Sequence, residues 1–179
     1  MHPARLLPIA AVLHACPAPA VTAQPVDPLR FFEGRTENVG TAKLLFHKPY
    51  RTRSFGVGRI ERDGSLTLVQ RVEDEGKAPR NRSWHVRQVG PGRYSGTMTD
   101  AEGAVTIEKV GNGYRFRFRM KGNLGVEQWL TPLSDRNSAK STIKVRKFGL
   151  TVGSSDSVIR KLSEAQVPGV RGAHSSDSP

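Results

Sequence analysis

The chain has 179 residues, with 28 Lys+Arg against 16 Asp+Glu and a formal net charge of +12. Hydrophobic residues make up 36%; with the glycines added this is an ordinary globular share, which excludes a wholly disordered chain and a multi-span membrane protein and points to one domain. A single cysteine, Cys16, excludes a disulfide framework and a cysteine-based zinc site.

Residues 1–23 have the tripartite order of a secretory signal peptide. Arg5 is the only fixed charge, Leu6 to Leu13 is apolar, and Val21-Thr22-Ala23 offers small residues to a signal peptidase. The apolar run is too short to cross about 30 Å of hydrocarbon as a helix, so no transmembrane span is expected. Cleavage after Ala23 predicts a soluble periplasmic or secreted chain starting at Gln24. In the alternative, Leu13-His14-Ala15-Cys16 acts as a lipobox and the chain is a lipoprotein anchored through Cys16. Loss of Arg5 leaves +11 on the mature chain. Export takes it away from chromosomal DNA, so nucleic acid drops out as a partner. Phospholipid headgroups, lipopolysaccharide phosphates and acidic glycans remain.

In the next segment, Asp27 is placed to cap a short helical turn, with Pro28 in its first position and Gly34 at its end. From there to residue 162 the chain reads as short strands separated by turn signals such as Arg62-Asp63-Gly64, Gly90-Pro91-Gly92 and Gly111-Asn112-Gly113. Strands are predicted near 36–46, 51–61, 65–74, 82–89, 93–99, 104–110, 114–121, 126–132, 139–148 and 156–162. Alternation supports them: Phe116, Phe118 and Met120 share one face and Arg115, Arg117 and Arg119 the other. Tight hairpins without crossover helices imply an all-β antiparallel meander of eight to ten strands, which hides its edges by closing into an up-and-down barrel. A β-sandwich is the competing architecture. The expected organisation is a signal peptide over 1–23, a barrel domain over 24–165 and a disordered tail over 166–179.

Several local patterns, in order, resemble the DUF3833 family of bacterial exported proteins. They are Phe32-Glu33-Gly34, Arg82-Ser83-Trp84, Gly92-Arg93-Tyr94-Ser95-Gly96 leading to Asp100 and Gly103, Gly111-Asn112, Glu127-Gln128-Trp129-Leu130, Lys147-Phe148-Gly149 and Val152-Gly153. The resemblance covers about residues 28 to 162. It implies a lipocalin-like (calycin) barrel and no particular reaction, and because members often begin as lipoproteins it keeps the Cys16 alternative open. Gln70 and Gln128 stand where the family tends to have acidic residues, so a chemical role for a carboxylate at either position would be lost here.

The inventory of chemical groups is thin. His47, His85 and His174 are isolated from any carboxylate-rich motif, no metal site or cofactor is predicted, and no serine sits in a G-x-S-x-G elbow. No catalytic residue is assigned. The family-like motifs leave a constellation of Arg82, Trp84, Tyr94, Asp100, Trp129 and Lys147. With Phe116 and Phe118 these residues would line the barrel interior, giving an apolar pocket with a cation for an acidic headgroup. A purely structural account is equally concrete: Trp84 and Trp129 plug the floor, Tyr94 ties down a corner, and Arg82 bridges a turn through Asp100. The Arg115, Arg117 and Arg119 stripe is either a solvated wall or a patch for anionic surface. Three functions follow from these readings: a monomeric exported barrel binding a small amphipathic or lipid-like ligand, an envelope-associated scaffold on anionic membrane or glycan, and a barrel enzyme of isomerase or hydrolase type using Asp100 or Tyr94.

Overall fold

In a computed structural model, residues 27–163 are described. Helix α1 (Pro28–Phe31) is followed by ten strands, β1 (Gly34–Leu44), β2 (Tyr50–Ile60), β3 (Leu66–Asp74), β4 (Arg80–Gly90), β5 (Arg93–Met98), β6 (Ala101–Val110), β7 (Gly113–Met120), β8 (Leu124–Pro132), β9 (Ser138–Lys147) and β10 (Leu150–Leu162). Each strand pairs antiparallel with the next, and β1 pairs with β10 from Arg35↔Leu162 to Leu44↔Gly153. The sheet is therefore a closed barrel and not a sandwich. The proposed signal peptide with Cys16, the tail over 166–179 and His174 lie outside the described residues.

All ten expected strands are present. The largest boundary difference is at β10, which starts at Leu150 and not near 156. Val152-Gly153-Ser154-Ser155 has the composition of a loop, yet Gly153, Ser154 and Ser155 are paired on both sides, by β1 and by β9, and Val152 is the extra residue of a bulge between Thr151 and Gly153. Tertiary pairing overrides local propensity there.

α1 closes one end of the barrel. Asp27 Oδ1 accepts a hydrogen bond from the Leu29 amide at 3.0 Å, and Pro28 occupies the first turn, where it has no donor to lose. Leu29, Phe31 and Phe32 are buried and belong to the same core cluster as Leu66, Tyr94, Tyr114, Leu130 and Ile159. Lys161 Nζ on β10 donates to the Arg30 carbonyl at 3.0 Å, holding the plug from the side. The seat is tight on β2: a Cβ at Gly58 would lie 1.9 Å from the Phe32 carbonyl oxygen. Only glycine permits this approach of helix end to strand.

Candidate functional site

Two-residue periodicity sorts the side chains into an inner and an outer set. The inner set near α1 fills the barrel, with Val105, Ile107, Leu130 and Ser141 almost wholly buried. Towards the opposite end the filling stops, and a cavity of about 280 Å³ remains. Pro28, Leu29 and Phe32 form its floor, while Ala42, Leu44, Tyr50, Asp74, Arg80 and Gly153 surround its mouth. The mouth thus opens between the β1–β2, β3–β4 and β9–β10 turns.

The cavity has two unlike walls. Trp84 on β4 meets Phe118 on β7 edge-on at 5.9 Å, and Leu66, Leu68, Phe116 and Val126 extend this apolar side. Asn38, Thr52, Ser54, Gln70, Arg82 and Ser155 give the other side its polar groups. Trp84 Nε1 donates to Gln70 Oε1 at 2.7 Å, so the one donor of the indole is satisfied. Gln128 Nε2 donates to Ser141 Oγ at 2.9 Å. The Asn38 side-chain oxygen is buried with no hydrogen-bond partner among the described residues. A buried polar group of this kind costs free energy until something pairs with it, and it lines the cavity.

Two ion pairs stand at the mouth. Arg82 donates from Nε to Asp100 Oδ2 at 2.9 Å, with Nη2 at the same distance from that oxygen. Arg80 Nη1 donates to Asp74 Oδ2 at 2.6 Å, and the Thr52 hydroxyl donates to Asp74 Oδ1 at 2.7 Å. Burial works to raise the Asp74 pKa, but the Arg80 and Thr52 hydrogen bonds and the Arg80 charge outweigh it and hold the carboxyl below the ordinary aspartate value. A depressed folded-state pKa means that this carboxylate contributes its full stability at neutral pH and loses it as pH falls through the folded value. Acidification between about pH 4 and pH 2 is therefore expected to lower the melting temperature of the native chain more than that of Asp74→Asn. Solvent screening limits the difference to about 1 kcal/mol, or about 2–4 °C. Thermal unfolding followed across that range reads it out.

The eight residues singled out from the sequence are distributed as follows. Arg82, Trp84, Phe116 and Phe118 line one cavity. Asp100 is at its rim, in the β5–β6 turn, reaching inward only to bind Arg82. Tyr94 is inside the barrel but at the closed end, where its ring meets Tyr114 at 6.1 Å and its hydroxyl lies 3.5 Å from Asp27 Oδ1. Burial, followed by the Asp27 charge, pushes both phenols above the ordinary tyrosine value, which keeps them neutral. Two placements correct the expectation. Trp129 is on the outer wall, because Val126, Gln128 and Leu130 take the inner parity of β8. Its Nε1 donates to Glu127 Oε1 at 3.2 Å and Arg115 covers its ring at 5.6 Å. Lys147 continues the inner parity of Ile143 and Val145 but ends β9 beyond the cavity, exposed, with its ammonium 5.7 Å from the Phe148 ring.

The arginine stripe of β7 is on the outer wall. Glu108 binds both Arg115, at 2.8 Å, and Arg117, at 3.0 Å, so part of its charge is locally neutralised. Asn38, Gln70, Thr52, Ser54 and Ser155 were not foreseen as cavity residues. Gln70 was within reach of sequence reading, since it interrupts the apolar parity of Leu66, Leu68 and Val72. Asn38 and Ser155 carried no such signal, because β1 and β10 have polar residues on both faces.

A closed antiparallel meander of ten strands, plugged by a short helix at one end and hollow towards the other, is an up-and-down β-barrel with room for a small guest. The chain belongs to the DUF3833 family, described as a protein of unknown function, whose model matches residues 11–161. Among solved structures it is similar to the S-type phycobiliprotein lyase CPES from Guillardia theta, with a TM-score of 0.58 and 6% identity over 75% of this chain and 90% of that one. It is also similar to Rv2717c from M. tuberculosis, with a TM-score of 0.53 and 13% identity over 79% of this chain and 99% of that one. No curated protein matches the sequence. At these identities the likeness is one of fold.

Proposed function

We propose that the chain binds a small amphipathic molecule inside the barrel, its apolar part against Trp84, Phe116 and Phe118 and its polar end towards Arg82. The observation that carries this reading is the two-walled cavity of about 280 Å³, close to the lower bound of small-molecule sites. Arg82 is only 19% exposed and already paired, so it is not a naked cation. Its Nη1 is unused among the described residues and adds one charge-assisted hydrogen bond to an acidic headgroup. The unpaired Asn38 oxygen takes a donor, such as a hydroxyl, from the same ligand. The phycobiliprotein lyase has a barrel of the same fold, which is consistent with a barrel built around a guest. The N-terminal pattern of residues 1–23 supports a place for this binding in the cell envelope, after cleavage following Ala23 or anchoring at Cys16. Mass spectrometry of the mature N-terminus distinguishes these two forms.

The two tryptophans make the test direct, because Trp84 is inside and Trp129 outside. In Trp129→Phe protein, decanoate is expected to shift and quench the emission of Trp84 saturably. Adding Ala42→Phe, which narrows the mouth, is expected to weaken that response at least tenfold, about 1.4 kcal/mol, without loss of folding. An unchanged Trp84 emission, or an equal response in the narrowed variant, refutes the reading.

A further inference from the structure

The β1–β2 and β9–β10 turns lie side by side at the cavity mouth. β1 and β10 are paired up to Leu44↔Gly153, and the Leu45 amide donates to the Val152 carbonyl at 2.9 Å beyond that point. Together the two tips present Phe46, Phe148 and Leu150, which are 95%, 82% and 71% exposed, with Leu45 half exposed beside them. Side chains of this kind scattered singly need no explanation, but four on adjoining tips form an apolar point on which no other apolar side chain among the described residues is packed.

Two further features set this point apart from incidental exposure. Phe46 and Phe148 both have positive φ, 63° and 51°. Phe148 is followed by Gly149 at φ 82°, so the turn has the left-handed sense that favours Asn-Gly over Phe-Gly. A bulky aromatic there strains the backbone and gains no burial in return, a combination that marks functional positions. The charge carried by the two tip segments themselves is of one sign. Residues 41–50 and 141–155 contain Lys43, Lys48, Lys144, Arg146 and Lys147 and no acidic residue. The nearest acidic groups stand further down the wall: Asp156 pairs in register with Thr41 and accepts from the Thr142 hydroxyl at 3.0 Å, and Glu75 accepts from the Arg51 amide at 2.9 Å, while Asp100 and Glu102 belong to the β5–β6 side.

We propose that these two tips dock the barrel, mouth first, onto an anionic lipid bilayer. Aromatic and aliphatic side chains enter the interface while the ring of lysine and arginine faces the lipid phosphates, the combination by which peripheral surfaces hold a membrane. The outer-wall arginines of β7 take no part. Docking stands apart from occupancy of the cavity, and the two are measured separately. If both hold, the cavity opens directly onto the layer from which an amphipathic guest is drawn.

The test uses the full chain carrying Trp129→Phe and Phe148→Trp, so that one indole reports on the tip and Trp84 is sequestered. Vesicles of phosphatidylglycerol and phosphatidylcholine with brominated acyl chains are expected to quench the tip indole, and raised salt to reverse the effect. In a separate series, Phe46→Asn with Phe148→Asn is expected to weaken sedimentation with these vesicles at least tenfold compared with the native chain. Asparagine tolerates positive φ, so these variants should melt no lower than the native chain. Arg119→Gln is expected to bind as the native chain does. An unquenched tip, undiminished binding by the asparagine variant, or loss of binding in Arg119→Gln overturns the proposal. So does self-association of the native chain through these tips without vesicle binding, which would make the patch an interface between copies.

Discussion

Trp84→Ala is expected to destabilise the barrel by about 3–5 kcal/mol, the usual range for removing a buried aromatic. The indole is 9% exposed and touches Phe118 edge-on at 5.9 Å. Its removal enlarges the existing cavity of about 280 Å³. The walls are strands locked in a closed ladder, so they cannot collapse inward to recover the lost contacts. Trp84→Phe separates the two contributions. It keeps most of the ring packing and removes the donor that Gln70 Oε1 accepts at 2.7 Å, so a smaller loss of about 1–2 kcal/mol is expected. Chemical denaturation of the three proteins gives these differences directly. Equal stabilities of the native chain and Trp84→Ala would mean that the indole is not part of the wall. Decanoate binding should follow the same order, because the surface lost from the wall is the surface offered to the guest.

The barrel was legible because its strands are short, alternate cleanly and are separated by glycine turns. Phe116, Phe118 and Met120 against Arg115, Arg117 and Arg119 is the clearest case, and β7 has this polarity in the fold. Alternation also explains where the reading failed. It places residues in two sets but does not say which set faces inward when both carry an aromatic or a long charged side chain. Trp129 is expected inward from its place in the family-like motif Glu127-Gln128-Trp129-Leu130, not from the parity of β8. The inner positions of β8 belong instead to Val126, Gln128 and Leu130, and the large ring is stabilised outside by Glu127 and Arg115. Lys147 has the inner parity but runs off the end of β9, which periodicity cannot register. Asn38 and Ser155 belong to strands polar on both faces, so their approach to one cavity is a product of closure alone.

Gly58→Ala is expected to unseat α1. A methyl group at this position would be 1.9 Å from the Phe32 carbonyl oxygen and 2.9 Å from its carbon, far inside van der Waals contact and against backbone on both counts. If helix and strand part just enough to relieve the overlap, the cost is about 1–3 kcal/mol, as for other overpacked sites. If the plug leaves its seat, Leu29, Phe31 and Phe32 lose burial at about 1.5–3 kcal/mol each. The two responses differ in a property other than stability. The Tyr94 phenol is held above its ordinary pKa first by burial and then by Asp27, which sits at the start of the plug. A plug that shifts slightly leaves the tyrosine titration high, whereas one that departs exposes Tyr94, separates it from Asp27 and brings its titration down towards the ordinary value. Absorbance-monitored titration of the native chain and of Gly58→Ala, with Lys161→Met as a second variant that removes the 3.0 Å bond to Arg30 without crowding the seat, tells them apart. An unaltered stability in Gly58→Ala would show that the seat is looser than its geometry implies. A lowered stability with unaltered tyrosine titration would show that α1 yields as a unit and stays in the barrel.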